Sequence, residues 1–339
     1  MWQQTGALFF DAPAPVPLVR ATSRNIPNYF EKFRNRNAAA DFRAVCCGLA
    51  CGRVGKTPTN ASNNSGLCGT GYPLTHAQLL LAKVRPHAIP VDAQGLIVGA
   101  GRRTAPRVRA AFVTPSHQFP TGVTLSMARR LELLAWARQS GAFIIEDDYT
   151  SEFRYSGPPL ASLQGLDDTE QVIYVGTLNK ALFPGLRIGY AVVPRAVLPA
   201  FVSARYLVDR QPATMQQAVV SEFMQQGHFA AHIRRMRELY REQRDALAQK
   251  LMRRGADRLD VITPDQGMHL VAYLRDGSSD TALEAIAQRA GIVVRAISRF
   301  YRAARPRPGL MLGFSGFPRQ LIVPAAARLA MLVANRDRA

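Results

Sequence analysis

The sequence predicts an α/β protein with a mostly parallel sheet covered by helices. From about Gly71 onward, apolar strand-like runs alternate with stretches of helical periodicity, which is the rhythm of βαβ units. Turn chemistry such as Pro120-Thr121-Gly122 punctuates those runs. The chain has 339 residues, 47% of them hydrophobic, so it can bury a large core and has length for one large domain plus a smaller one.

The elements follow in order. "YPLTHAQLLLAKV" reads as a helix and "RPHAIPVD" as a short strand, with "RAAFVTP" (109–115) a stronger one. "LSMARRLELLAWARQSG" places Leu125, Ala128, Leu131, Leu134 and Ala135 at helical spacing, and Gly141 suits the stop. The strands "AFIIED", "QVIYVGT" (171–177) and "LRIGYAVVP" (186–194) come next, followed by one long helical region from Ala213 to Arg254. There, Ile233, Met236, Leu239 and Tyr240 form an apolar stripe beside Arg234, Arg235, Arg237, Arg241 and Arg244, the pattern of a packed helix with a solvated basic face. From about Leu259, "GMHLVAYL", "ALEAIAQRAG", "IVVRAI", "GLMLGFSG" and a closing helix suffice for a small α/β domain. The expected organisation is a divergent, poorly ordered or remnant segment at 1–70, a large domain with its connecting helix at 71–250, and a small C-terminal domain at 251–339.

Residues 1–70 read differently from the rest. "KTPTNASNNSG" is loop chemistry, and all four cysteines, Cys46, Cys47, Cys51 and Cys68, fall in this stretch. "CCGLAC" supplies one plausible metal-binding pair where a zinc site wants two, so no metal is expected and free thiols in a reducing cytosol are the simpler reading. The N-terminus lacks a basic region before its short apolar stretch, and no apolar run reaches the roughly 20 residues of a membrane span. A cytoplasmic protein is expected. The formal charge of +19 would suit a nucleic-acid binder, but arginine is spread along the chain rather than gathered in a block.

Lysine is scarce. Of 43 basic residues five are lysine, namely Lys32, Lys56, Lys83, Lys180 and Lys250. Lys180 follows a buried-looking strand in "VGTLNKALFPGLRIG", and an amine, unlike a guanidinium, can lose its proton and act as a nucleophile. Asp147, Asp148 and Tyr149 follow another strand. In open parallel sheets ligands gather beyond the carboxyl ends of the strands, so the lysine, a carboxylate and a phenol can meet there. This set matches pyridoxal phosphate: the lysine forms a Schiff base, Asp147 keeps the pyridine nitrogen protonated, and a hydroxyl tunes the imine. Thr177 and Arg187, flanking the lysine, are candidates for the phosphate. Asp148 reads as structural.

The stretches "VTPSHQFPTGVTLSMARRLELLAWA", "IIEDDYTSEFRYSG" and "VIYVGTLNKALFPGLRIGYAVVP" resemble the aminotransferase-like domain of MocR-type regulators. These are a branch of the GntR transcription factors built on the fold type I, aspartate-aminotransferase-like scaffold. The resemblance runs from about Gly71 to the C-terminus and includes "GHFAAHIRRMRELY" and "AISRFY". It implies a fold type I pyridoxal-phosphate-dependent transferase in which Lys180 links the cofactor, Asp147 partners the pyridinium and Tyr149 contacts the ring oxygen. It implies phosphate contacts at Arg187 and Thr177 and a cofactor contact at His117. Where the broader fold has N-P-T-G, this chain has Phe119-Pro120-Thr121-Gly122, which shifts phenolate binding toward Tyr149. Arg299 either holds a substrate carboxylate or joins two loops.

The resemblance also implies a homodimer, and an earlier strand and glycine-led helix just before Gly71, where the cysteine- and asparagine-rich text stands instead. No winged-helix pattern is found in residues 1–70, so DNA is not the expected partner. Three readings stay open: an aminotransferase acting on an amino acid or amine, a weakly catalytic sensing domain for such a ligand, and a DNA-binding regulator.

Overall fold

Phe143–Asp148 and Val172–Thr177 are almost uninterrupted apolar or buried runs, the signature of strands covered on both faces. They form the middle of a seven-stranded sheet. The structure, a computed structural model, describes residues 7–8, 65–69, 72–81, 84–210, 214–302 and 306–335. The large sheet consists of β1 (Ala7–Leu8), β2 (Ser65–Gly69), β3 (Arg85–Ile89), β6 (Ala110–Val113), β7 (Phe143–Asp148), β8 (Val172–Thr177) and β9 (Ile188–Val192), and β4 (Val91–Asp92) with β5 (Gly95–Leu96) makes a small hairpin. The strand order is β1-β9-β8-β7-β6-β2-β3.

The pairings from β8 through β3 are parallel, whereas β9 runs antiparallel to β8. A parallel return needs a crossover of a dozen or more residues, generally with a helix, and residues 178–187 are too few. The chain therefore doubles back, and Lys180 lies in that return.

The expected boundary at Gly71 is corrected. Ser65–Gly69, within the stretch read as divergent, pairs in parallel with both β3 and β6, and Ala7–Leu8 pairs with β9. Backbone pairing does not require the apolar alternation whose absence made this text look structureless. Cys46, Cys47 and Cys51 lie outside the described residues.

Helices α1 (Pro73–Leu81), α2 (Val98–Thr104), α3 (Met127–Ser140) and α4 (Leu163–Leu166) accompany the parallel strands. Ser126 caps α3 by accepting from the Arg129 amide, and Gly141 ends it in the left-handed conformation, as its sequence predicts. Its buried face differs from the expected one. Arg130, Leu133, Trp136 and Ala137 are buried, while Leu131 is exposed. Burying Arg130 is tolerated because its guanidinium donates to the carbonyls of Leu125, Ala161 and Pro115 and stands 3.8 Å from Glu146.

The long helical region is broken by Gly227, whose φ of 79° favours glycine, into α6 (Thr214–Gln225), preceded by α5 (Leu198–Asp209), and α7 (His228–Gly255). At 28 residues α7 reaches from one core to the other: Phe229 and Ile233 pack under the large sheet, and Leu247, Ala248 and Leu251 pack under the small one. Leu239 of the expected stripe is exposed. Two arginines of the expected solvated face turn inward, Arg237 donating to the Glu152 carbonyl and Arg244 to that of Pro264.

The small sheet is antiparallel, ordered β10 (Leu259–Ile262), β11 (His269–Leu274), β13 (Gly309–Gly313) and β12 (Arg295–Ala296), with α8 (Asp280–Arg289) and α9 (Arg319–Asn335) against it. Among the described residues no helix is long and apolar enough to cross a membrane.

Gly176 is opposite Tyr190 in the β8–β9 pair, and a Cβ there would stand 2.3 Å from the tyrosine ring. Gly176→Ala should therefore lower stability by about 1–3 kcal/mol in a urea melt. Burial pushes the Glu146 carboxyl up to about 7, against the pull of the Gln164 and Leu163 amides and Arg130. A raised acid holds its proton more tightly in the folded state. Its contribution should thus make stability fall as pH rises from about 4.5 to about 7, with a slope of at most about 1.4 kcal/mol per pH unit. Glu146→Gln should flatten that slope.

Candidate active site

The carboxyl ends of β6, β7 and β8 lie side by side, and the loops leaving them carry the predicted residues. Asp147 pairs across β7 and β8 with Val175, five residues before Lys180. Successive strand side chains point to opposite faces, so Asp147 and Asp148 divide the two faces between them. Asp148 is held by Tyr174 Oη, 2.7 Å from one oxygen, and by the Ser151 amide on the other, a structural use. Asp147 is 4% exposed on the other face, where a buried carboxylate calls for a cationic or hydrogen-bonding partner.

The return carrying Lys180 is stapled to β9. The Ile188 amide donates to Asn179 Oδ1 at 2.9 Å, the Asn179 amide donates to Thr177 Oγ1 at 3.2 Å, and the Leu178 amide donates to the Ile188 carbonyl at 3.0 Å. From α7, His232 Nε2 donates to the Ala181 carbonyl at 3.0 Å. Lys180 is thus half-buried on a turn fixed from two sides. The Thr177 hydroxyl gives its hydrogen to the Ile188 carbonyl, 3.3 Å away, and so helps build the turn.

Arg187 ends the short 3₁₀ turn Pro184–Leu186 with φ 57° and ψ 35°. A non-glycine residue in the left-handed region costs of order 1–3 kcal/mol, and such strain collects at functional sites.

Tyr149 Oη donates to the His117 carbonyl at 2.8 Å. The His117 imidazole is 1% exposed and wedged against Gly122, Gly267 and His269. His117 meets Tyr149 through its backbone carbonyl. His269, from β11 of the small sheet, lies with its ring centroid 4.5 Å from that of His117. Desolvation is the main cause that pushes its imidazole down to about 4; the Pro120 hydrogen bond opposes this, and the charge of Lys180 lowers it further. The charge of Lys180 is thus felt at His269.

Around them Phe119 makes edge contacts with Tyr72, Phe300 and His269 at 5.4, 5.1 and 5.9 Å. This ring cluster closes the large sheet's edge against the small domain's elements. Arg299 is paired with a carboxylate of the small domain. Its Nε donates to Glu284 Oε2 at 2.6 Å, and Arg295 faces the same carboxylate, so it joins the turn Ile297–Phe300 to α8.

Sequence reasoning did not single out His269. A lone imidazole in the fully buried run "HLVAYL" was the available signal. No cluster of three or more His, Cys, Asp or Glu that could hold a metal occurs among the described residues.

An amine on a fixed turn, a buried carboxylate, a phenol and a strained arginine at one sheet edge fit pyridoxal phosphate, which needs an imine-forming amine, an anionic partner for its ring nitrogen, a polar partner for its ring oxygen and a cation for its phosphate.

A profile of the family described as aminotransferase class I and II matches residues 84–309. The probable rhizopine catabolism regulatory protein MocR of Rhizobium meliloti is 38% identical over 246 residues, 73% of this chain and 50% of that protein. Aromatic-amino-acid aminotransferase 1 of Thermococcus litoralis is 28% identical over 249 residues, 71% of this chain and 60% of that protein. The crystal structure of Pyrococcus horikoshii kynurenine aminotransferase, in complex with PMP, superposes with a TM-score of 0.78 at 25% identity, covering 87% of this chain and 74% of that one. The chain spans about half the length of the curated regulators it matches. It belongs to the class I and II aminotransferases, a fold type I family whose membership implies pyridoxal phosphate, and it is similar to MocR-type regulators over about half of their length.

Proposed function

We propose that this chain binds pyridoxal phosphate through Lys180 and acts on the amino group of an amino acid or amine, with Asp147, Tyr149 and Arg187 completing the site. The observation that carries this reading is the fixed turn of Lys180 at the same sheet edge as buried Asp147. When bound, the cofactor supplies an aldehyde and an electron-withdrawing ring.

The protein's part is positional and electrostatic. Asn179 and His232 hold the backbone on both sides of Lys180, so the amine is delivered from a stiff turn. Lys180 Nζ serves as nucleophile and then as the group that moves a proton, a task that needs the amine neutral for part of the cycle. Asp147 holds its negative charge in a buried place, where its field is little screened. Tyr149, whose Oη donates to the His117 carbonyl in the protein alone, would redirect that hydrogen to the ring oxygen of a bound cofactor. Arg187, held in the left-handed region, offers a cation for the phosphate.

A sensing domain that binds the same ligands with little turnover is a second reading, favoured because a regulator is 38% identical and an aminotransferase 28%. A homodimer is proposed from the family's habit.

Borohydride reduction of the protein mixed with pyridoxal phosphate, followed by peptide mass mapping, should place the label on Lys180; a label confined to another lysine would overturn the reading. Lys180→Ala should abolish the label and lower amine-dependent keto-acid production by at least about 100-fold. Wild-type protein that carries the label but forms no keto acid from any amine supplied would select the sensing domain.

A further inference from the structure

Pro120 O, His269, His117 and Tyr149 form one line of contacts that begins in the Phe119-Pro120 loop, passes through the small sheet and returns to the phenol of the site. His269 Nε2 lies 3.0 Å from the Pro120 carbonyl, His269 Nδ1 lies 3.4 Å from His117 Nε2, and the His117 carbonyl accepts from Tyr149 Oη at 2.8 Å.

The donor roles follow from elementary accounting. A carbonyl only accepts, so His269 Nε2 carries a hydrogen, and in a neutral imidazole Nδ1 is then a lone pair. His117 Nε2 must donate to it. That leaves His117 Nδ1 as a buried lone pair, which has no hydrogen-bond partner. A buried acceptor without a partner is better tolerated than an orphaned N–H, so the same tautomer is favoured from the other end. Both rings are enclosed, and desolvation lowers the proton affinity of each. The charged or titratable groups acting on them are Lys180 for His269 and His269 for His117.

The packing leaves the His117 ring no alternative seat. Gly267 holds φ 93°, and a Cβ there would stand 2.6 Å from the His117 Cδ2, Cε1 and Nδ1 atoms. The Gly267 amide is itself bonded to the Phe153 carbonyl at 2.9 Å, four residues beyond Tyr149. The segment that precedes β11 is therefore fitted against the segment that follows β7.

We propose that His269 and His117 are positioning residues, a buried relay in which the small sheet's strand β11 fixes the imidazole and backbone of His117 and, through that backbone, the phenol of Tyr149. The consequence for function rests on the reading of Tyr149 as a site residue, but the relay is a property of the protein without cofactor and is tested there.

The chain holds six histidines, so selective ¹⁵N-histidine labelling of the cofactor-free protein gives a spectrum assignable with His117 and His269 variants. Both should appear as single Nε2–H tautomers. Asparagine can place an acceptor where His269 Nδ1 stands, whereas glutamine reaches the Nε2 position and cannot. His269→Asn should thus keep His117 in its Nε2–H form and leave a ¹³C-labelled Tyr149 ring resonance in place. His269→Gln should release His117 into a mixture of tautomers and shift Tyr149. An Nδ1–H tautomer at His117 in the wild type, which needs no variant to observe, would overturn the proposal. So would a Tyr149 resonance indifferent to His269→Gln, or equal effects of the two variants. Failure of cofactor labelling at Lys180 would sink the functional reading and leave this result standing.

Discussion

The site depends on one constraint of the backbone: the connection from β8 to β9 is too short to cross over the sheet. With residues 178–187 alone available, β9 must run antiparallel to β8, and the turn between them stays at the carboxyl edge. That edge is where β7 ends in Asp147. Asn179, Thr177 and the strand amides then fix the turn so that Lys180 sits on rigid backbone. Had the return contained a helix, the lysine would have been carried away from the carboxylate.

The second half of the site is built by contact between the two sheets. Helix α7 spans both cores, Arg237 and Arg244 anchor it to loop carbonyls, and β11 inserts His269 against His117. The aromatic cluster of Tyr72, Phe119 and Phe300 packs beside them. Arrangements of this kind, in which locked neighbours hold the reacting groups, give a site its geometry before any ligand arrives. The Phe119 ring contributes packing, so its loop supports the site by shape.

Much of this was legible in the sequence because strands and turns obey local rules. The βαβ rhythm and the Gly141 helix stop each follow from nearby residues. What was not legible depended on long-range partners. Arg130 of α3 is buried because three carbonyls and Glu146, brought from other elements, surround it. The pairing of Arg299 with Glu284 and the packing of His269 against His117 likewise depend on residues distant in the chain. Ser65–Gly69 carried no strand signal of its own, since its place is fixed by the strands on either side.

The central claim is that Lys180 and Asp147 act on one bound molecule. A double-mutant cycle on pyridoxal phosphate affinity, using Lys180→Ala, Asp147→Ala and the combined variant, addresses it directly. Residues that share a ligand should be non-additive by more than about 0.5 kcal/mol, and additive losses within that margin would contradict the account.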